Sequence, residues 1–197
     1  MSQPEAVVAP VPPVAVASVR PAYVVAAVAA LLVMSGAIVG ESIWFLTFIH
    51  VMAGILWTGI DLFMGFVVGP VLRRLPFETR RAVIGMLVPR TLLLMPTLAI
   101  ITGTSGWFLA RRLGYFDLGY PEFYWVMAAL IIVTILAIQG LGYLLPTNYR
   151  VYREMQAPRP DGEKIGRWMR GYVRVVAFQG LMQIVMVVIM ARFGSGL

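Results

Sequence analysis

Apolar residues run almost unbroken through five stretches of this 197-residue chain, at about 22–39, 43–68, 87–110, 123–145 and 173–191. Each is apolar around most of its circumference, so no stripe of period 3.6 divides a wet face from a dry one, as expected where the solvent is lipid. A hydrocarbon core about 30 Å thick needs roughly 20 such residues of helix. The period-two alternation of a membrane β-barrel is absent. The pattern predicts an all-α integral membrane bundle of five transmembrane helices.

The polar breaks between these stretches define the connections. Only Gly40, Glu41 and Ser42 separate the first two. One unbroken helix over 22–68 would be about 70 Å long, more than twice the hydrocarbon thickness, so the chain must turn there. A rival reading makes the first stretch a signal peptide, with Arg20 as its basic start and Ser35-Gly36-Ala37 as a small-residue cleavage site; the long segment before Arg20 disfavours it. Residues 1–20 are rich in Pro, Ala and Val, and Pro4, Pro10, Pro12 and Pro13 preclude a helix, so a disordered or extended tail is expected. The connection over 146–170 contains Pro158, Pro160 and Gly162 and reads as a loop leading into an amphipathic start of the last helix. Tyr115, Phe116, Tyr120, Tyr124 and Trp125 form an aromatic belt at the opposite interface. No internal repeat is convincing.

Charge adds an orientation. Arg20, Arg73, Arg74, Arg80, Arg81, Arg90, Arg150, Arg153, Arg159, Lys164, Arg167, Arg170 and Arg174 fall on one side, thirteen of the 16 basic residues. Arg111, Arg112 and Arg192 fall on the other. Basic residues concentrate on the cytoplasmic side, so the N-terminus is expected to be cytoplasmic in a bacterial inner membrane. The net charge of +7 is then a topology signal and an attraction to anionic lipid headgroups. No soluble basic domain exists to bind nucleic acid.

Composition narrows the chemistry. The chain is 60% hydrophobic and 13% charged, with no cysteine and one histidine, His50. Disulfides, thiolate metal sites, iron–sulfur clusters, thiol nucleophiles and in-chain bis-histidine haem are excluded. Neither a phosphate-binding loop nor GxGxxG appears.

Polar groups inside the apolar stretches carry what chemistry remains, because each is expensive in lipid unless paired or wet. His50 and Asp61 are 11 residues apart, about 20° of rotation and about 16 Å along one helix face, with Gly54 and Trp57 near it. Arg90 enters the third helix at a depth comparable to Asp61, and an Asp61–Arg90 ion pair is expected, either as part of a proton or ion path or as a structural clamp. Gln139 on the fourth helix, and Gln179 and Gln183 four residues apart on the fifth, read as interhelical glue or as a substrate site. Gly65 and Gly69 form a small-residue seam. Met182, Met186 and Met190 repeat every four residues, a pattern that suits Cu(I) or ordinary apolar filling. His50 reads as an axial haem ligand or as a core histidine bonded to a backbone carbonyl or a tyrosine.

The second helix reads His50, Gly54, Trp57, Gly59 and Phe63 in an HxxxGxxWxGxxxF pattern, followed by Pro70, Arg73 and Arg74, then Pro89, Arg90 and Pro96. This resembles a bacterial membrane superfamily that includes the copper-resistance protein D domain and the membrane part of urate hydroxylases, over about residues 43–192. The resemblance implies His50, with Trp57 nearby, as a haem or metal ligand, with haem b or copper as cofactor; Met182 and Met186 are metal candidates by their spacing and thioether chemistry alone. The family's other histidines have no counterpart here. Two functions follow: a redox or metal-handling protein with a single-histidine site, or a non-catalytic accessory subunit of a larger membrane complex, with other membrane subunits as partners. A transporter would require inverted repeats and broken helices at the midplane, and with no repeat this reading ranks last.

The charge bias generates a direct test. In this cysteine-free chain, Ala157→Cys should react with an impermeant maleimide only from the cytoplasmic side, and Gly119→Cys only from the outer side. Labelling of intact cells and of inverted vesicles checks both.

Overall fold

A computed structural model describes residues 20–196. The tail predicted over 1–20 lies, apart from Arg20, outside the described residues. All regular structure among the described residues is helical. The helices are α1 (Pro21–Val39), α2 (Ile43–Arg74), α3 (Phe77–Arg112), α4 (Phe123–Met155) and α5 (Gly162–Gly194), and each is long and apolar enough to cross a membrane. The chain is therefore a multi-pass helical membrane protein.

Local chemistry sets the first boundaries. Pro21 opens α1 from an extended Arg20, where its missing N–H goes unneeded. The chain turns at Gly40-Glu41, with Glu41 in the left-handed region at φ 55°. Ser42 then caps α2, its hydroxyl accepting the Phe45 N–H at 3.3 Å. The Arg112 guanidinium donates to the Ile38 carbonyl and so ties the end of α3 to the end of α1.

At the arginine-rich end the helices run further than the sequence pattern predicts. The second helix continues past residue 68 to Arg74, and α3 starts at Phe77 rather than near residue 87. The fourth passes through Pro146 to Met155, and α5 starts at Gly162, so the loop expected over 146–170 contracts to 156–161. A proline inside a helix removes one hydrogen bond and its ring collides with the carbonyl four residues back. In α2 and α4 a π-helical turn precedes the proline, Met64–Val68 before Pro70 and Gly140–Leu144 before Pro146, whereas α3 carries Pro89 and Pro96 without one. The Gly69 N–H bonds to the Met64 carbonyl and the Leu145 N–H to the Gly140 carbonyl, a five-residue step that re-registers the ladder and lets the helix continue.

Beyond the lipid these extensions pack as soluble helices do. Helices of 32 to 36 residues are about 48–54 Å long, some 20 Å more than the hydrocarbon needs. Val151 and Met155 of α4 bury against Ile165 of α5, while Arg150 and Arg153 stay exposed. Lys164 Nζ holds Glu154 at 2.6 Å across the same junction.

Within the membrane, α3 packs against α1, α2 and α4, and α5 packs on α4 and α2. Met34, Ala53, Trp57, Leu98, Ile101 and Leu136 form the main buried cluster. Gly54 lets α2 approach the Thr102 methyl, and Gly65 and Gly180 do the same between α2 and α5. Of the expected Gly65–Gly69 seam only Gly65 faces another helix; Gly69 sits against its own helix at the Met64 carbonyl. At the end remote from most arginines Tyr115 stacks on Phe193 and Trp107 meets Phe116, the predicted aromatic belt.

The start of α5 generates a pH prediction. The Asp161 carboxylate accepts the Lys164 N–H at 3.0 Å, and that bond holds its carboxyl below the usual aspartate range. Folding thus favours the ionised form. The cap's contribution is present above the unfolded value, about pH 4, and is lost as pH falls through the lower folded value. Thermal unfolding in detergent should show wild type losing stability below about pH 4, while Asp161→Asn, which caps without titrating, loses less over the same window.

Candidate functional site

The carboxylate of Asp61 is the one acidic group in the apolar middle of α2, and side chains from two helices converge on it. Trp57, one turn earlier on the same face, offers its indole N–H. From α5, Gln179 Nε2 and Gln183 Nε2 each donate to Asp61 Oδ2 at 2.8 Å. Hydrogen bonds to an ionised acceptor are about twice as strong as neutral ones. Each glutamine is nearly sealed from outside, at 3% and 2% exposure. Their amide oxygens, Gln179 Oε1 and Gln183 Oε1, have no hydrogen-bond partner.

A cavity of about 70 Å³ opens against this cluster between α2, α3, α4 and α5. Asp61, Thr91, Asn148, Tyr172 and Gln179 give it a polar lining, and Trp57, Met95 and Pro96 an apolar one. Its α4 wall includes Gly140, Leu141 and Leu144 of the π-helical turn. The turn that accommodates Pro146 therefore also shapes the cavity.

The predicted Asp61–Arg90 ion pair is not formed. None of the ion pairs among the described residues involves Asp61. Arg90 is exposed; its guanidinium donates to the Met86 carbonyl one turn back and lies 5.9 Å from the Tyr23 ring of α1. The expected depth is right, since Thr91 lines the cavity beside Asp61. The azimuth is wrong: one residue is about 100° of rotation, which turns Arg90 toward α1. The glutamines of α5 take the place assigned to the arginine.

His50 forms a separate cluster about 16 Å along α2 from Asp61. Its Nδ1 lies 3.0 Å from the Thr102 carbonyl oxygen and 3.2 Å from Ser105 Oγ. The carbonyl can only accept, so Nδ1 carries the proton and donates. Ser105, fully buried, donates its own hydroxyl to the Ile101 carbonyl at 2.5 Å. The ring lies against Gly106, where a Cβ would stand 2.8 Å from Cε1.

His50, the candidate haem or metal ligand, is engaged through Nδ1 by α3. Neither the polar cavity nor a larger apolar groove along α3 and α4, lined by Gly103, Trp107 and Ala137, is bordered by His50. Met182 sits between Gln179 and Gln183 in sequence and hence near the depth of Asp61, with Met186 one turn beyond; the two methionines lie about 16 Å and 10 Å along the helices from the level of His50. Among the described residues no three His, Cys, Asp or Glu side chains gather as a metal group. Gln139 joins neither cluster, and its Oε1 is buried without a partner.

Tyr172, Asn148 and Thr91 are site residues that sequence reasoning missed. Tyr172 lies seven residues before Gln179, on one face with it and Gln183, a spacing that could have been read. Asn148 falls in the segment taken for a loop. Thr91 looks like one more threonine bonded to its own helix, as it is, through the Leu87 and Val88 carbonyls.

Comparison with protein-family models, with curated proteins and with solved structures finds no match.

The His50–Gly106 contact generates a stability prediction. Gly106→Ala should destabilise the protein by about 1–3 kcal/mol, the usual cost of overpacking. Most of that cost should vanish when His50→Ala is combined with it. Unfolding curves of the two single variants and the double variant in one detergent measure this; an equal cost in both backgrounds would disprove the contact.

Proposed function

We propose that this protein handles a small positive charge within a bacterial inner membrane, with Asp61 as the carboxylate that takes it up and releases it. The observation that carries the reading is a membrane-embedded carboxylate with amide and indole donors, no basic partner among the described residues and a polar cavity at its side. Ionisable groups in membrane helices are expensive, and they concentrate where ions or protons are handled. A clamp between α2 and α5 would account for the glutamine bonds, but it needs no cavity at its carboxylate.

Two further features support the reading. Asn148, nearer the arginine-rich end of α4, carries the polar lining of the cavity toward that side, which is cytoplasmic by the charge bias. Interrupted helices accompany ion and substrate sites in many transporters, and α2 and α4 are both interrupted by π-helical turns in their arginine-rich halves. In this scheme Asp61 is neutralised by the charge it accepts, and Gln179, Gln183 and Trp57 stabilise the carboxylate when that charge leaves.

Asp61→Asn preserves the size of the side chain and an acceptor oxygen, so the bundle should remain folded and monodisperse. Liposomes containing wild-type protein should dissipate an imposed cation or pH gradient, and liposomes containing Asp61→Asn should behave like protein-free ones. Equal rates for the two proteins, with folding intact, would refute the role of Asp61.

A further inference from the structure

We infer that Asp61, Gln179 and Gln183 form a binding site for a small monovalent metal cation, which the carboxylate and the two amide oxygens coordinate; this rests on the reading of Asp61 as a charge carrier and names the charge. The ligand chemistry comes from the atoms themselves. Both glutamines are buried, both turn Nε2 to the same carboxylate oxygen, and both leave Oε1 without a partner. A buried amide oxygen with no donor is a cost that a cation removes. Two such amides held on one carboxylate can offer it a pair of hard oxygen donors, which suits alkali or alkaline-earth ions rather than soft metals.

Charge selects between those classes. Asp61 supplies one negative charge, and no other acidic side chain lines the cavity. A monovalent ion is neutralised there, whereas a divalent ion would leave an uncompensated positive charge in a low-dielectric interior. Size points the same way. A cavity of about 70 Å³ admits an ion with a water or two, and the Thr91, Asn148 and Tyr172 oxygens can hold that water.

The glutamines also explain how one site serves both loading states. An amide presents N–H groups on one side and an oxygen on the other. With the carboxylate ionised and free, the N–H groups face it, as they do here. A flip of each glutamine amide about its Cγ–Cδ bond exchanges donor for acceptor, turning Oε1 toward a cation held on the carboxylate. Lysine at 179 and 183 could only donate and would lack the accepting half of this exchange.

The test uses the full chain purified in detergent at constant ionic strength, with N-methyl-D-glucamine chloride replaced stepwise by NaCl or KCl. Wild type should show a saturable rise in melting temperature with at least one of the two metal ions. That rise should be absent in Asp61→Asn and in Gln183→Met, which keeps the volume and removes the amide oxygen. Retention of binding in Gln179→Glu, which keeps an oxygen ligand, covers the case in which Gln183→Met does not fold. An unchanged rise in Asp61→Asn would overturn the site. No rise in wild type, with an Asp61-dependent pH-gradient decay still present in liposomes, would overturn the metal cation and leave the charge-carrying role to a proton. Absence of both signals would overturn both.

Discussion

Lipid offers no hydrogen bonds, so every polar group inside the bundle must find its partner within the protein. This constraint accounts for the helical backbone and for its exceptions. Thr47, Thr97 and Thr134 return their hydroxyls to carbonyls one turn back, and so does Ser35. Pro70 and Pro146 would each break a ladder, and a π-helical turn before each one repairs it. Where the constraint meets a full charge, at Asp61, it draws two glutamines from another helix and leaves their oxygens unpaired.

The two polar clusters on α2 show contrasting solutions. His50 serves packing: it donates to a backbone carbonyl, sits under a glycine and borders neither cavity described above. Asp61 carries hydrogen bonds from side chains alone and lies against space. Both stand on one face of the same helix, yet His50 addresses α3 and Asp61 addresses α5.

Much of this architecture was legible from hydrophobic length alone. The five spans, the turn at Gly40-Glu41-Ser42 and the shared face of Gln179 and Gln183 follow from helix geometry and the cost of polar atoms in lipid. The helix ends at the arginine-rich side were not legible, because Pro70 and Pro146 read as stops unless a π-helical turn precedes them, and no local signal announces one. The partner of Asp61 was misread for a different reason. Sequence spacing gives the depth of Arg90, but its azimuth depends on which helix lies on each side of α3. Opposite charges made arginine the natural partner, and two neutral amides fill the role instead.

The ring of His50 in the notch at Gly106 has a mechanical consequence. A side chain seated against a glycine of the neighbouring helix resists sliding of α2 along α3, and it does so near the aromatic end of the bundle. The interruptions of α2 and α4 lie toward the other end, where the hydrogen-bond ladder is already loosened by one residue. The register of α2 against α3 is therefore fixed near the aromatic end, at the level of His50.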